Sequence, residues 1–250
     1  MAYIFQSWLT AQVLTSAAQS QVEVNIRDHV HGVSGVTSIP YRTLIPAANA
    51  YVRDEFIGGV YGKLNGRLTG ELGWIPYDIY GVVVQLIPAI AGHPGIASIP
   101  TGANINNYNY LQLSSVQIIP ADSFDTIFIF KVPSVTSVTF VMGLYGSNAD
   151  GLYLEKLSTD SNWFAVSRVS STQTRADMGV AAIDTWYKVR IRRVDGATIG
   201  YTINSGSEVT ATTNIPTAGL HPYIYVVTTE AVNKYIHIDY FDMIFTGLSR

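Results

Sequence analysis

From about Asp54 to Leu248 the chain is written as short β-rich runs punctuated by turn residues, and nothing else in it constrains the fold as much. The runs include "FDTIFIFKV" (124–132), "SVTFVMGLY" (137–145), "GLYLEKL" (151–157), "NWFAVSRV" (162–169), "WYKVRIRRV" (186–194), "TIGYTIN" (198–204), "YIYVVTT" (223–229) and "YIHIDYFDMIF" (235–245). Between them stand "SNADG", "STDSN", "VDGA" and "NSGS", whose residue types favour tight turns. So many strands at close spacing imply a two-sheet sandwich. Pattern alone does not separate a jelly roll from other Greek-key topologies. No repeat of fixed period occurs, which argues against a solenoid or propeller.

The first 40 residues are different in kind. From Thr10 to His29 there is no Gly or Pro, and Leu14, Ala18, Val22, Ile26 and Val30 recur every fourth residue. That spacing predicts a helix with one apolar stripe, capped by Thr10 or Thr15, although "VEVNI" alternates like a strand. A single helix cannot bury its stripe alone, so the arm needs the main domain, a sister subunit or another protein. "HGVSGVTSIP" (31–40) reads as a linker. Residues 41–54 read as an irregular or short helical connection. The expected organisation is a docking and oligomerisation arm over 1–40 and a β-sandwich domain over 41–250.

Composition excludes several function classes. Only 13% of the 250 residues are charged and the formal net charge is −3, so there is no electrostatic case for nucleic acid. Lys188, Arg190, Arg192 and Arg193 form the one dense basic run, and its alternating part reads as a solvated strand face. With no cysteine, disulfides, thiolate zinc sites and cysteine nucleophiles are excluded. The first basic residue is Arg27, so no signal peptide is expected. The longest apolar run, "YGVVVQLIPAIAG" (80–92), is interrupted by Gln85 and Pro88 and is shorter than the ~20 residues a spanning helix needs. The 16 tyrosines, set against so few charges, point to extensive buried surface, part of it between subunits.

Several segments, taken in order, carry a resemblance: "DEFIGG…GRLTGELGW" (54–74), "AGHPGIASIPTG" (91–102), "FDTIFIFKVP" (124–133), the long stretch from Asp150 to Arg193, and "IDYFDMIFTG" (238–247). Together they resemble the concanavalin A-like jelly-roll domain of bacteriophage virion proteins. "VLTSAAQSQVEVNIRDHVHGVSGV" (13–36) is similar to a leader found in phage tail and other structural proteins, a short helix ending in "NIRD" or "NIRDH". The resemblance implies a particle component docked by its N-terminal segment and displaying a jelly roll.

Candidate chemistry is sparse. In an extended segment His29 and His31 would point to one side and chelate a metal at a threefold axis. One chain supplies only two ligands, however, and a helix end stopped by Gly32 accounts for both histidines. They are expected to form a structural joint, with no metal. His93, in "GHPG", reads as part of a turn. His237, Asp239 and Asp242 lie in the last strand, where alternation would place His237 and Asp239 on one face with Phe241 and Met243. A glycosidase needs two carboxylates flanking the scissile bond. "HIDYFDM" lacks the Glu-x-Asp-x-x-Glu type signature of jelly-roll glucanases, and "YLEKL" offers Glu155 alone. There is no Gly-x-Ser-x-Gly elbow, "GVYGKLNG" (59–66) is not a phosphate-binding loop, and "SNADG" needs no calcium to be a hairpin turn. The remaining signal is aromatic. "NINNYNYLQL" (104–113) combines Asn104, Asn106, Asn107, Tyr108, Asn109 and Tyr110, and Trp163, Trp186 and the tyrosines of "HPYIYVV" could stack on sugar faces or fill a core.

The expectation is thus an all-β concanavalin A-like jelly-roll sandwich with a short N-terminal helical arm. Its expected role is structural: a homotrimer on the surface of a phage virion, made in the host cytoplasm. It would sit as a head decoration or in a tail fibre or baseplate periphery, bound to other virion proteins. A tail adhesin for a host surface glycan is the alternative, and a polysaccharide-degrading enzyme is the third choice. No catalytic, cofactor-binding or metal-binding residue is assigned, and neither nucleic acid nor membrane is an expected partner.

Overall fold

A computed structural model of the chain describes residues 50–56, 69–70, 72–77, 82–114, 116–118, 123–146, 150–170 and 172–246. The arm expected to be helical, with His29 and His31, lies outside the described residues. Among the described residues there are two antiparallel sheets and no helix, hence none long and apolar enough to cross a membrane.

One sheet runs β13 (Val209–Ala211), β12 (Thr198–Ile203), β11 (Trp186–Asp195), β6 (Ser123–Lys131), β15 (Tyr235–Thr246), β4 (Ile96–Pro100) and β3 (Gln85–Ile87). An eighth strand, β1 (Ala50–Asp54), pairs with the far half of β15, beyond the reach of β4. The other sheet runs β10 (Thr172–Val180), β9 (Asn162–Val169), β8 (Gly151–Lys156), β7 (Val138–Tyr145), β14 (His221–Thr228), β5 (Tyr108–Gln112) and β2 (Ile75–Tyr77). Strands distant in sequence lie side by side, β6 beside β15 and β7 beside β14, as in a jelly roll.

Alternation puts one side of each strand between the sheets. On β6, Phe124, Thr126, Phe128 and Phe130 point inward; on β14, Pro222, Ile224, Val226 and Thr228 do so. The aromatic rings interlock across the layer. Phe130 meets Trp163 edge-on at 5.4 Å between centroids, and Trp74 meets Phe241 edge-on at 5.1 Å. Such tilted contacts suit the quadrupoles of the rings.

Two local expectations need correcting. Residues 50–54 form strand β1 where an irregular or short helical connection was expected. Its register runs from Ala50 opposite Phe245 to Asp54 opposite Phe241, so it exists because the long β15 offers it an edge. The face assignment in β15 also changes. A bulge between Ile238 and Tyr240 shifts the register by one residue. Phe241 and Met243 therefore join Ile236 and Ile238 in the core, while His237 lies on the opposite face. The alternating basic residues of β11 do occupy an outward face. Arg190 grips Asp125 through Nε (2.8 Å), and Arg192 holds Glu208 through Nε and Nη2 (2.6 and 2.9 Å).

Asp54 is fully buried and closes the β1 end of the sandwich. Its Oδ1 accepts from the Phe56 amide (2.8 Å) and its Oδ2 from the Leu72 amide (2.9 Å), tying the strand to the turn that carries Trp74. Gly70, at φ +72°, lies so close that a Cβ there would collide with this carboxylate. Asp54→Ala is expected to cost about 2–3 kcal/mol, because two backbone donors lose a charged acceptor. Urea unfolding would measure this. A loss under about 0.5 kcal/mol, typical of surface changes, would show that the turn is held by other contacts.

Candidate functional site

The outward face of the seven-stranded sheet carries an uncommon density of tyrosine. Pairing sets the positions. Tyr77 lies opposite Tyr110, Tyr110 opposite Tyr225, and Tyr225 opposite Val141, which faces Glu155 on β8. In the next row Gln112 lies opposite Tyr223, Tyr223 opposite Gly143, and Gly143 opposite Tyr153. Tyr145 stands beside this row, one pair further along β7.

The rings form a continuous track. Tyr77 stacks on Tyr110 at 4.6 Å, Tyr110 meets Tyr223 at 5.1 Å, Tyr223 stacks on Tyr145 at 4.9 Å, and Tyr145 meets Tyr153 at 6.2 Å. The track crosses five adjacent strands, roughly 19 Å at the ~4.8 Å spacing of a sheet. It lies along a cleft of about 420 Å³ lined by Tyr108, Tyr110, Tyr145, Tyr153, Tyr223 and Tyr225 together with Val141, Glu155 and Arg168. Gly143 lies between Tyr223 and Tyr153 in its row. A Cβ there would stand 2.5 Å from the Leu152 carbonyl oxygen, so this position takes no side chain without moving β8.

Electrostatics at the cleft are governed by burial. Burial raises the pKa of Tyr223, with the neighbouring tyrosine hydroxyls adding to the effect, and raises that of Tyr153 and Tyr110 as well. All three therefore stay neutral at physiological pH. Glu155 is buried, and desolvation holds its carboxyl above the usual range against the opposing pull of Arg175. Arg175 Nε stands 3.1 Å from Glu155 Oε2, yet both atoms lack an aligned hydrogen bond. On the same guanidinium, Nη2 donates to Asp160 (2.5 Å) and Cζ lies 4.0 Å from the centroid of the Phe164 ring. Arg168 donates through Nε to the Ser170 carbonyl (2.9 Å), and the Tyr153 hydroxyl beside it holds the guanidinium pKa up.

The residues singled out in the sequence fall into separate places. Tyr108, Tyr110, Tyr223, Tyr225 and Glu155 come together at the cleft. Asn107 and Asn109 do not; they are buried, and Asn109 Nδ2 donates to the Val82 carbonyl (3.0 Å). Asn104 and Asn106 are exposed beyond the start of β5. Trp163 is a core residue. Trp186 lies on the other sheet, stacked with His93 at 3.8 Å, and His93 Nδ1 hydrogen bonds Asp239 (2.8 Å). Asp242 pairs there with Arg53 and accepts from the Tyr240 hydroxyl (3.1 Å). The His237–Asp239–Asp242 set therefore does not meet Glu155 at the cleft. Sequence reasoning missed Tyr77, Tyr145, Tyr153 and Arg168, although Tyr145 and Tyr153 do sit at alternating positions within runs it had recognised. Among the described residues no group of three or more His, Asp or Glu could hold a metal ion.

The arrangement suits a flat-faced, hydroxyl-rich ligand: aromatic surface for its apolar faces, phenol hydroxyls and one carboxyl for its polar edges. A family model described as "SO2946-like, C-terminal domain" matches residues 92–239. No curated protein matches the chain. Among solved structures the chain is similar to a protein of unknown function, SO2946 from Shewanella oneidensis MR-1 (TM-score 0.65, 15% identity, covering 96% of this chain and 98% of that one). It is also similar to the carbohydrate recognition domain of Emp47p (TM-score 0.53, 12% identity, 81% and 98% covered). A third is the Bacillus licheniformis β-glucanase (TM-score 0.53, 13% identity, 80% and 98% covered). At these identities the likeness establishes the fold, a lectin- and glucanase-like jelly-roll sandwich.

Glu155 should make stability depend on pH. Its folded-state pKa is raised, so ionising it costs the fold. The cost is absent below its ordinary value of 4.5 and grows as the pH rises through the higher folded value. Glu155→Gln is expected to raise the melting temperature at neutral pH, with the gain vanishing in acid. Thermal melts of both proteins across that range test this; an equal shift at every pH would disprove the linkage.

Proposed function

We propose that this chain, which belongs to the SO2946-like C-terminal domain family, is a non-catalytic carbohydrate-binding module whose ligand lies across the tyrosine face of the seven-stranded sheet. One observation carries the reading: a continuous track of tyrosine rings runs along a cleft lined by a single carboxylate, Glu155. Stacked on one another in this way, the rings offer an occupant of the cleft their edges and phenol hydroxyls, which suit the hydroxyl-rich rim of an oligosaccharide. Hydrolysis of a glycosidic bond calls for two carboxylates about 5–10 Å apart on either side of it. Here Asp160 is turned to Arg175, and Asp239 and Asp242 belong to the opposite sheet. The named activities of two structural neighbours, a carbohydrate recognition domain and a glucanase, lend support because both involve sugars on this architecture.

The phage-like leader over residues 13–36 extends the proposal. The module would be displayed on a virion as a trimer, docked by its arm to other virion proteins, and a tail position would make it an adhesin for a host surface glycan. Apolar residues Leu14 to Val30 are the features of the arm that support assembly.

A glycan array followed by calorimetry tests binding. Tyr223→Ala is expected to weaken the best ligand about tenfold or more, since central aromatic anchors dominate such interfaces. Incubation should release no new reducing ends. Absence of any glycan binding, or turnover abolished by Glu155→Gln, would overturn the reading. Removal of residues 1–36 is expected to lower the mass in solution while leaving the β-sheet circular dichroism in place. An unchanged mass, with normal incorporation into labelled particles, would rule out the assembly role.

A further inference from the structure

We infer that the cleft takes acidic oligosaccharides, and that Arg168 is the residue that meets their charged groups. This deepens the carbohydrate-binding reading and rests on it. Arg168 differs from other arginines of the two sheets in what it faces. Arg53 faces Asp242, Arg175 faces Glu155 and Asp160, Arg190 faces Asp125, and Arg192 faces Glu208. Among the described residues no carboxylate stands within ion-pair distance of Arg168. Its Nε donates to the Ser170 carbonyl (2.9 Å), and the side chain is half-buried. A guanidinium carries five N–H donors, so one backbone carbonyl leaves most of this one to other acceptors.

The carboxyl of the cleft does not answer this charge. Glu155 is 7% exposed, and Arg175 Nε already stands 3.1 Å from its Oε2. Desolvation also holds the Glu155 pKa above its ordinary value, which works against a full negative charge there. The remaining residues that line the cleft are tyrosines and Val141, so Arg168 is its single cation.

Position decides what that cation can reach. Arg168 on β9 lies opposite Gly151 on β8, and Gly151 lies opposite Tyr145 on β7. A Cβ at Gly151 would stand 2.7 Å from the Tyr153 ring, so that ring takes the place a side chain would fill between Tyr145 and Arg168. The tyrosine track from Tyr77 to Tyr153 therefore ends beside the guanidinium. Burial keeps the Tyr153 and Tyr223 hydroxyls protonated, and they serve sugar hydroxyls as neutral donors and acceptors. An acidic group at the Arg168 end adds a charge-assisted hydrogen bond, about twice as strong as a neutral one. Carboxylate and sulfate share this chemistry.

The test uses the full chain and three matched sets of oligosaccharides of equal length: neutral hexoses, the corresponding uronic acids, and sulfated hexoses. Calorimetry at neutral pH and low salt gives affinities for wild type, Arg168→Gln and Tyr223→Ala. The wild type is expected to bind at least one acidic set about tenfold or more tighter than the neutral set, and the set with the larger preference identifies the acidic group. Arg168→Gln should bring that ratio toward unity by losing affinity for the acidic set, with neutral binding little changed. Tyr223→Ala should weaken every set and preserve the ratio. For the wild type, raising salt from about 50 to about 500 mM should weaken acidic ligands more than neutral ones, because a half-exposed charge is screened. Thermal melts establish that each variant is folded. Equal binding of all sets, preference for the neutral set, a ratio unmoved by Arg168→Gln, or an acidic preference indifferent to salt overturns the inference and leaves the carbohydrate-binding reading standing. Failure of the wild type to bind any set overturns both.

Discussion

The structure depends on burial of one face of each sheet against the other. Phe128, Phe130, Phe140, Trp163, Ile224, Ile238 and Phe241 are all essentially inaccessible, and they come from strands of both layers. Each fully buried aromatic or aliphatic side chain contributes on the order of 1.5–3 kcal/mol, offset by the conformational entropy of ordering it. The packing is worth enough that Trp74 and Trp163 keep their indole N–H groups buried without a partner. Because this core is made by period-two alternation, its demands determine which residues face outward, and the cleft is built from those.

The outward faces have been used differently. On the eight-stranded sheet charged residues meet one another: Arg190 with Asp125, Arg192 with Glu208, and Arg53 with Asp242. The first two pairs are half-exposed and add little stability, whereas Asp242 is buried beneath a half-exposed Arg53. The seven-stranded sheet carries tyrosines instead, at positions where solvent-facing strands usually carry polar residues. Cross-strand aromatic pairs stabilise a sheet, and beside them the cleft holds a desolvated carboxyl, Glu155, paired with Arg175. Gly143, in the row of Tyr223 and Tyr153, allows β8 to approach β7, since a Cβ there would meet the Leu152 carbonyl oxygen and Ile191.

Much of this was written in local pattern. The strands from β6 to β9, with β11, β12, β14 and β15, are short runs of aromatic and β-branched residues, and the two-sheet architecture follows from their number and spacing. Tyr108, Tyr110, Tyr223 and Tyr225 stood out because each pair alternates within one strand. Strand β10 was less visible: its sequence, "TQTRADMGV", is polar and largely exposed, and it is a strand because β9 has a free edge to offer. The same holds for β1 against β15.

What the sequence by itself determined is the alternation, and with it the sandwich and the set of side chains that must face in or out. Only the tertiary structure decided which outward residues become neighbours. Tyr77, Tyr110, Tyr223, Tyr145 and Tyr153 come from five strands spread over 147 residues, and their rings meet because β14 inserts between β5 and β7. The bulge at Asp239 likewise turned Phe241 into the core, against the parity counted from His237. Register and strand order are set by packing energy summed over the whole sandwich, since a slip of one residue would exchange the buried face for the solvated one. No local run of residues carries that sum, and so the alternation was legible in the chain while the cleft was not.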